Sequence, residues 1–438
     1  MKHLGLVVAT KAMIGALVLA GGFRAVSDDD FARVVLAQKW AAAPKLDPTG
    51  SSWLPFPFWL NGMVMRIFGA TLDTARVTAF VLGLASAALL YAAARLLLRD
   101  PRDAWWGALI AAVVPWSAWL GVATVPELPA AALTVFAIAT LTTPRYRWLG
   151  SIALIIASLS RYESWPVAVV FAGVSVWDAR HSRRLAWGAL ALFGPLAWLL
   201  HNWIAHGDAF HFAARVSAYQ RALGASAQAY PLALLREEPE VVALSCVMLI
   251  AARRSLPASL PRAAGALAMV LVALTLAAIP GGAPTHHSGR ALLAIWLAMA
   301  IYLGAGVRAA MRARPYAFSA LVVMVMFAGL WLRRTDPFTP RIHETAIGRD
   351  AASLTEPVLV EAVDYGYFAI VAASARPEAM IVDRSLDPRG TIPPSSFESI
   401  DTVKQRARAC GARYAVTKRA LGEPLARSGP WSLIELTP

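Results

Sequence analysis

Asp28, Asp29 and Asp30 stand in a row in SDDDFARVVLAQKW, directly after an apolar run of membrane-spanning length. Carboxyl groups at the mouth of a membrane segment are costly to place, so acids there are commonly working groups. A carboxylate within hydrogen-bond reach of a hydroxyl or amine can take its proton during attack, acting as a general base. Crowded carboxylates cannot all ionise freely, which lifts at least one pKa towards a useful range. The same residues also suit a helix start, with Ser27 as N-cap and acids in the first turn. The two roles are compatible.

Further polar residues border the apolar runs. Glu127 opens one in TVPELPAA, Arg161, Tyr162 and Glu163 close another in RYESWP, and THHSGR supplies His286, His287 and Arg290. Guanidinium groups make forked hydrogen bonds to phosphate oxygens and stay charged when buried, so Arg161 and Arg290 are candidate anion holders, with Glu163 orienting Arg161. One of His286 and His287 is a candidate for the same cavity, the other an ordinary interfacial histidine. His201, His206 and His211 recur at spacings of five, which do not share one helix face. Acids and histidines together could hold a cation, but no ligand spacing of the HExxH type occurs; the metal and any other cofactor stay unknown.

The elements that must position these groups follow from composition. The 438 residues are 58% hydrophobic and only 16% charged, more apolar surface than a soluble chain of this length buries. A polytopic α-helical membrane protein is expected, with about eleven transmembrane helices. Their approximate limits are 4–24, 74–98, 104–122, 127–143, 148–161, 165–178, 185–205, 239–252, 263–280, 290–307 and 316–332. The RYESWP segment reads as a sharp reversal within the bilayer depth. Basic residues fall in alternate loops, at Arg95, Arg99 and Arg102, then Arg145 and Arg147, then Arg180, Arg183 and Arg184, and onward. That alternation puts these loops and the N-terminus in the cytoplasm and the acids on the outer face of the cytoplasmic (inner) membrane. The first segment is read as a retained span rather than a cleaved leader, with Lys11 snorkelling to the cytoplasmic face. The net charge of +14 is explained by these loops, and no nucleic-acid partner is expected.

Residues of about 25–70 form a long outer loop with two amphipathic stretches around PTGSSWLPFPF, suited to helices lying in the interface. From about 341 apolar runs shorten to strand length in PVLVEA, AMIVD, RYAVT and WSLIEL, with helical patterns between them. The expected organisation is a transmembrane domain over 1–335 and a small C-terminal extracytoplasmic α/β domain over 341–438, a cap or acceptor-docking module. Cys246 and Cys410 lie in different settings and say nothing about function.

An acid cluster opening the first outer loop, Trp/Pro-rich interfacial segments, many spans and a C-terminal outer domain together resemble the GT-C superfamily of glycosyltransferases. The resemblance is to bacterial members akin to protein mannosyltransferases and the aminoarabinose transferase of lipid A. There the first outer loop carries an Asp followed by Asp or Glu and then an aromatic, which SDDDFA matches in type. RYESWP and the HxxxR of HHSGR are similar to later family positions bordering a lipid-phosphate cavity. The resemblance implies a polyprenyl-phosphate sugar donor, an unidentified cell-envelope acceptor, inversion at the anomeric carbon, and Asp28 or Asp29 as base with Asp30 as spacer. Arg161, Arg290 and a histidine would hold the departing phosphate. Two other readings use the same cavity: a transporter or flippase of lipid-linked substrates, and a lipid-linked glycan ligase or polymerase working through Arg and His.

Overall fold

In the computed structural model the described residues are 2–50, 52–178, 182–224, 229–251, 257–281, 288–310, 320, 322–326, 328–329 and 340–436. A helix lies at each of the first ten expected spans; the eleventh, 316–332, falls largely outside the described residues. Four helices are long and apolar enough to cross a membrane: α1 (Lys2–Ala20), α4 (Leu72–Leu97), α15 (Leu260–Ala278) and the first 18 residues of α16 (Ser288–Ala310). A fifth crossing is possible through α10 (Ser182–Ala191) and α11 (Phe193–His206), whose apolar portions are bent by 43°. The others, α7 (Glu127–Thr140), α8 (Arg147–Ser158), α9 (Trp165–Trp177) and α14 (Pro239–Ala251), run 12 to 14 residues. At about 1.5 Å per residue such helices fall short of the roughly 30 Å hydrocarbon layer.

The expected span 104–122 is two helices, α5 (Pro101–Val113) and α6 (Pro115–Leu120). Pro115 has no N–H and cannot continue the ladder, so it starts a new helix. Lys11 serves this break rather than snorkelling outward. Its ammonium is buried and donates to the Ser117 carbonyl at 2.5 Å, the Ser117 hydroxyl at 3.0 Å and the Ala112 carbonyl at 3.4 Å. Carbonyls beside an interrupted helix have lone pairs to spare, even that of Ser117, which also accepts the Gly121 N–H, and an ammonium brings three donors to them. Small residues then let helices close up: a Cβ on Gly304 of α16 would lie 2.2 Å from the Asp103 carbonyl oxygen, and one on Gly107 of α5 would lie 2.4 Å from that of Ile301. Such backbone approach is how apolar helices gain contact where no hydrophobic driving force exists.

The first long loop folds into α2 (Asp28–Ala42) and α3 (Phe56–Phe68), as its amphipathic pattern requires. Between α8 and α9 the RYESWP segment is one 3-10 turn at Tyr162–Ser164, the expected sharp reversal. The second loop carries α12 (His211–Leu223) and α13 (Tyr230–Glu237).

Beyond residue 340 the chain forms α17 (Ile342–Ala352), β1 (Val358–Val360), α18 (Tyr367–Ser374), β2 (Met380–Val382), α19 (Ile400–Cys410), β3 (Tyr414–Thr417), β4 (Pro424–Ser428) and β5 (Trp431–Glu435). The sheet order is β2-β1-β3-β5-β4, with β1 parallel to both neighbours and the last two strands antiparallel. All four expected strands are present, whereas β4 and α17 were not anticipated, because PLARS and IHETAIGRDAA lack a clear apolar period. Helices α18 and α19 cover opposite faces. Ala369 to Ala373 join the cluster that also holds Phe31, Val34, Val35 and Ala37 of α2, while Val403 and Ala407 pack with Leu359, Ala415 and Ile434. One apolar core is thus shared by the sheet, α18 and the back of α2.

Candidate active site

The row of acids occupies the first turn of α2, where the partial positive charge of the helix end favours carboxylates. Consecutive helical residues point about 100° apart, so the three side chains separate. Asp28 turns to the C-terminal sheet unit: both of its oxygens accept from Arg341, at 2.9 Å each. Asp30 turns inward and is 2% exposed; its carboxylate accepts from the Val26 and Ser27 amides at 3.1 and 3.2 Å and from the Thr124 amide at 3.0 Å. Burial raises its pKa to about 6, against the opposing pull of Arg290 and of the Ser27 and Thr124 amides. Asp29 alone keeps a half-open carboxyl group, 46% exposed, with one oxygen 3.6 Å from Arg290.

Behind Asp29 the charges interlock. Glu127, fully buried at the start of α7, accepts from Arg290 Nε at 2.9 Å and Nη2 at 2.6 Å, and pairs with Arg161 at 3.0 Å, all through Oε1. Its Oε2 has no hydrogen-bond partner. Arg161 is held from its other side by Glu163, at 3.1 and 2.5 Å, the orienting contact expected from the sequence. Arg290 also donates to the Ser27 hydroxyl at 3.4 Å. Proximity of two arginines is affordable because one carboxylate lies between them.

A third guanidinium belongs here. Arg33, one turn after Asp29 and therefore on the same face of α2, is buried with its Cζ 4.4 Å above the Trp53 ring and 5.6 Å from that of Phe58. Its Nε has no hydrogen-bond partner. Burial lowers its pKa to about 10, while Glu127 and Asp29 pull it back up. Cation–π stacking fixes such a group while leaving its N–H edge available. In the sequence nothing but its four-residue offset from Asp29 sets Arg33 apart, and that offset is shared by many solvated helix residues.

The walls come from the turn and the loop. Tyr162 donates to the Ser52 carbonyl at 2.9 Å and accepts from Trp198 Nε1 at 3.1 Å, while its ring stacks on Phe212 at 4.4 Å. These contacts fasten the Pro/Trp-rich loop over the Arg161 turn. Beside it, a cavity of about 220 Å³ is lined mainly by apolar groups, among them Phe56, Leu60, Ala79, Leu120 and Leu133, with Thr124 and Ser160 at its polar side. A larger cavity of about 300 Å³, lined by Met299 and Tyr302 among others, lies further along α16 from Arg290 and has no charged lining residue. His286 and His287 lie outside the described residues. His201, His206 and His211 do meet, since the chain turns between α11 and α12: His206 and His211 stack at 4.0 Å, and His201 Nε2 is 3.6 Å from Asp47. No group of three or more His, Cys, Asp or Glu residues fit to hold a metal ion occurs among the described residues.

The helical body, with Asp29 at the first turn of α2 set against Arg33, Arg161 and Arg290, has a fold that is shared with solved proteins. The family model for dolichyl-phosphate-mannose-protein mannosyltransferase matches residues 49–204. The crystal structure of ArnT from Cupriavidus metallidurans bound to undecaprenyl phosphate superposes with a TM-score of 0.62 at 13% identity, covering 97% of each chain. Apo ArnT from the same organism gives 0.58 at 13% identity over 92% of each chain. No curated protein is significantly similar in sequence. The likeness to ArnT therefore covers the whole fold, while the family model covers residues 49–204 and not the SDDDFA segment.

Proposed function

We propose that the protein transfers a sugar from a polyprenyl-phosphate donor to a cell-envelope acceptor at the outer face of the cytoplasmic membrane. Asp29 takes the proton of the acceptor hydroxyl, the freed oxygen attacks the anomeric carbon from the face opposite the phosphate, and the C–O bond to phosphate breaks with inversion. Negative charge then grows on the phosphate oxygens, where Arg33, Arg161 and Arg290 offer N–H groups in a site already organised before reaction. The observation that carries this reading is the half-open Asp29 carboxylate set against the buried Arg33 and Arg290 and the partly buried Arg161, beside a chiefly apolar cavity. An apolar entrance next to a phosphate-binding pole suits a lipid-linked donor.

Of the two candidate bases the geometry favours Asp29, since Asp28 is engaged by Arg341 and Asp30 by backbone amides. The solved structure with undecaprenyl phosphate supports a donor of that class. We further propose about eleven spans, a cytoplasmic N-terminus, and a division into a membrane unit over 1–335 and an outer unit over 341–438; the alternation of basic loops supports this orientation. In membranes supplied with polyprenyl-phosphate sugar, Asp29→Asn is expected to lower transfer by about 10²- to 10⁴-fold. Full activity in that variant would remove the mechanism.

A further inference from the structure

The turn between α6 and α7, residues 121–126, meets the first turn of α2 through Thr124. Asp30, the last of the acid row and 2% exposed, divides its two carboxylate oxygens between two sets of partners. Oδ2 accepts from the Val26 and Ser27 amides at 3.1 and 3.2 Å, which closes the start of α2 on itself. Oδ1 accepts from the Thr124 amide at 3.0 Å, and the Thr124 hydroxyl donates to the Asp30 main-chain carbonyl at 2.9 Å. Amide and hydroxyl of one residue thus hold side chain and backbone of the other. Arg290 reaches the same turn over longer distances, 3.4 Å to the Ser27 hydroxyl and 3.6 Å to Asp29.

The surroundings of Thr124 are tightly packed. Val122, Ala123 and Val125 belong to the core of the helical body, together with Val26 just before α2. Three residues after Thr124 stands Glu127, whose Oε1 holds both Arg161 and Arg290. One short stretch is therefore fastened at one end to the neighbour of Asp29 and at the other to two guanidiniums. The back of α2 lies in a different core, the one shared with the sheet unit. The Asp30–Thr124 contacts join the two bodies where the proposed base stands.

We infer that Thr124 is a positioning residue for the transfer: through Asp30 it sets the place of the Asp29 carboxylate relative to Arg161 and Arg290. The inference rests on the glycosyl-transfer reading and deepens it. A base and an electrophile react fast only when held in line, and a displacement of about 1 Å costs on the order of 10²-fold in rate. Thr124 also borders the cavity of about 220 Å³. A role in filling that cavity would move the donor KM, whereas a role in aiming the base moves kcat.

The test uses Thr124→Val, which keeps the branched shape and the amide but loses the hydroxyl, and Thr124→Ser, which keeps the hydroxyl. Each full-length variant replaces wild type in the cell's own membranes, so that the natural acceptor is present. The donors are tritiated undecaprenyl-phosphate mannose, glucose and aminoarabinose. Thr124→Val is expected to lower kcat about tenfold or more with the donor KM within about twofold, and Thr124→Ser to restore kcat to within about twofold of wild type. In an Asp29→Asn background Thr124→Val should cost about twofold or less, because the group it aims is already gone. Hydrogen exchange in nanodiscs should be faster over residues 26–34 in Thr124→Val and unchanged over 128–140, which shows a folded protein loosened at one helix start. Wild-type membranes that transfer sugar from none of the three donors overturn the proposed function and this inference with it. Wild-type transfer with kcat unchanged in Thr124→Val, or a loss that adds in full to that of Asp29→Asn, overturns the inference alone.

Discussion

Three neighbouring aspartates meet three different fates within one helical turn, and each fate makes its own prediction. Asp30 holds its proton more tightly in the folded chain than its ordinary value of 3.8. For an acid with a raised folded pKa, the favourable contribution is complete below about pH 4 and is lost as pH rises through about 6. Thermal unfolding in nanodiscs from pH 4 to 7 should show that decline, and Asp30→Asn should flatten it. Glu127→Gln is expected to cost about 3–5 kcal/mol, because it leaves the buried Arg290 and the partly buried Arg161 side by side without their shared counter-charge. Chemical denaturation in mixed micelles would measure that. Arg33→Met keeps the stacking volume on Trp53 but removes the N–H edge, so the donor KM should rise about tenfold or more with folding intact. The acid row, Glu127, Arg161 and Arg290 were legible in the sequence because each interrupts or borders an apolar run, where charge is conspicuous. Arg33 was not, since on an amphipathic helix a lone arginine resembles a solvated face, and only the fold turns it inward.

At the scale of elements, the sequence declared where helices lie and not how far each reaches. The run 104–122 reads as continuous, yet Pro115 divides it, and Lys11 from another helix bonds across the break to the Ala112 and Ser117 carbonyls. Such a rescue joins residues about a hundred positions apart and leaves no local trace in the sequence. The glycine contacts between α5 and α16 are equally silent, because glycine is also common in turns. Gly107→Val or Gly304→Val should force α5 and α16 apart and destabilise the protein by about 1–3 kcal/mol or more. Lowered thermal midpoint and increased proteolysis, with wild-type behaviour in Gly173→Ala, whose site is open, would check this.

For the molecule as a whole, the family of folds was legible from loop order and acid placement, while the union of the sheet unit with α2 was not. Strand patterns announce an α/β unit, but hydrophobic periodicity says nothing about which distant surface a face will adhere to. Here the apolar back of α2 enters the same core as Val358, Val360, Ala369 and Trp431, and Gln38 donates to the Ala372 carbonyl at 2.9 Å. The helix that carries Asp29, the proposed base, is therefore fastened from behind by residues about three hundred positions further along the chain. Its tilt, and with it the aim of that carboxylate, follows the packing of that sheet unit. Changes deep in the tail, far from the proposed site, would then be felt as altered turnover, and a chain cut short before residue 341 would keep Asp29, Arg33, Arg161 and Arg290 while losing the mould that sets their direction.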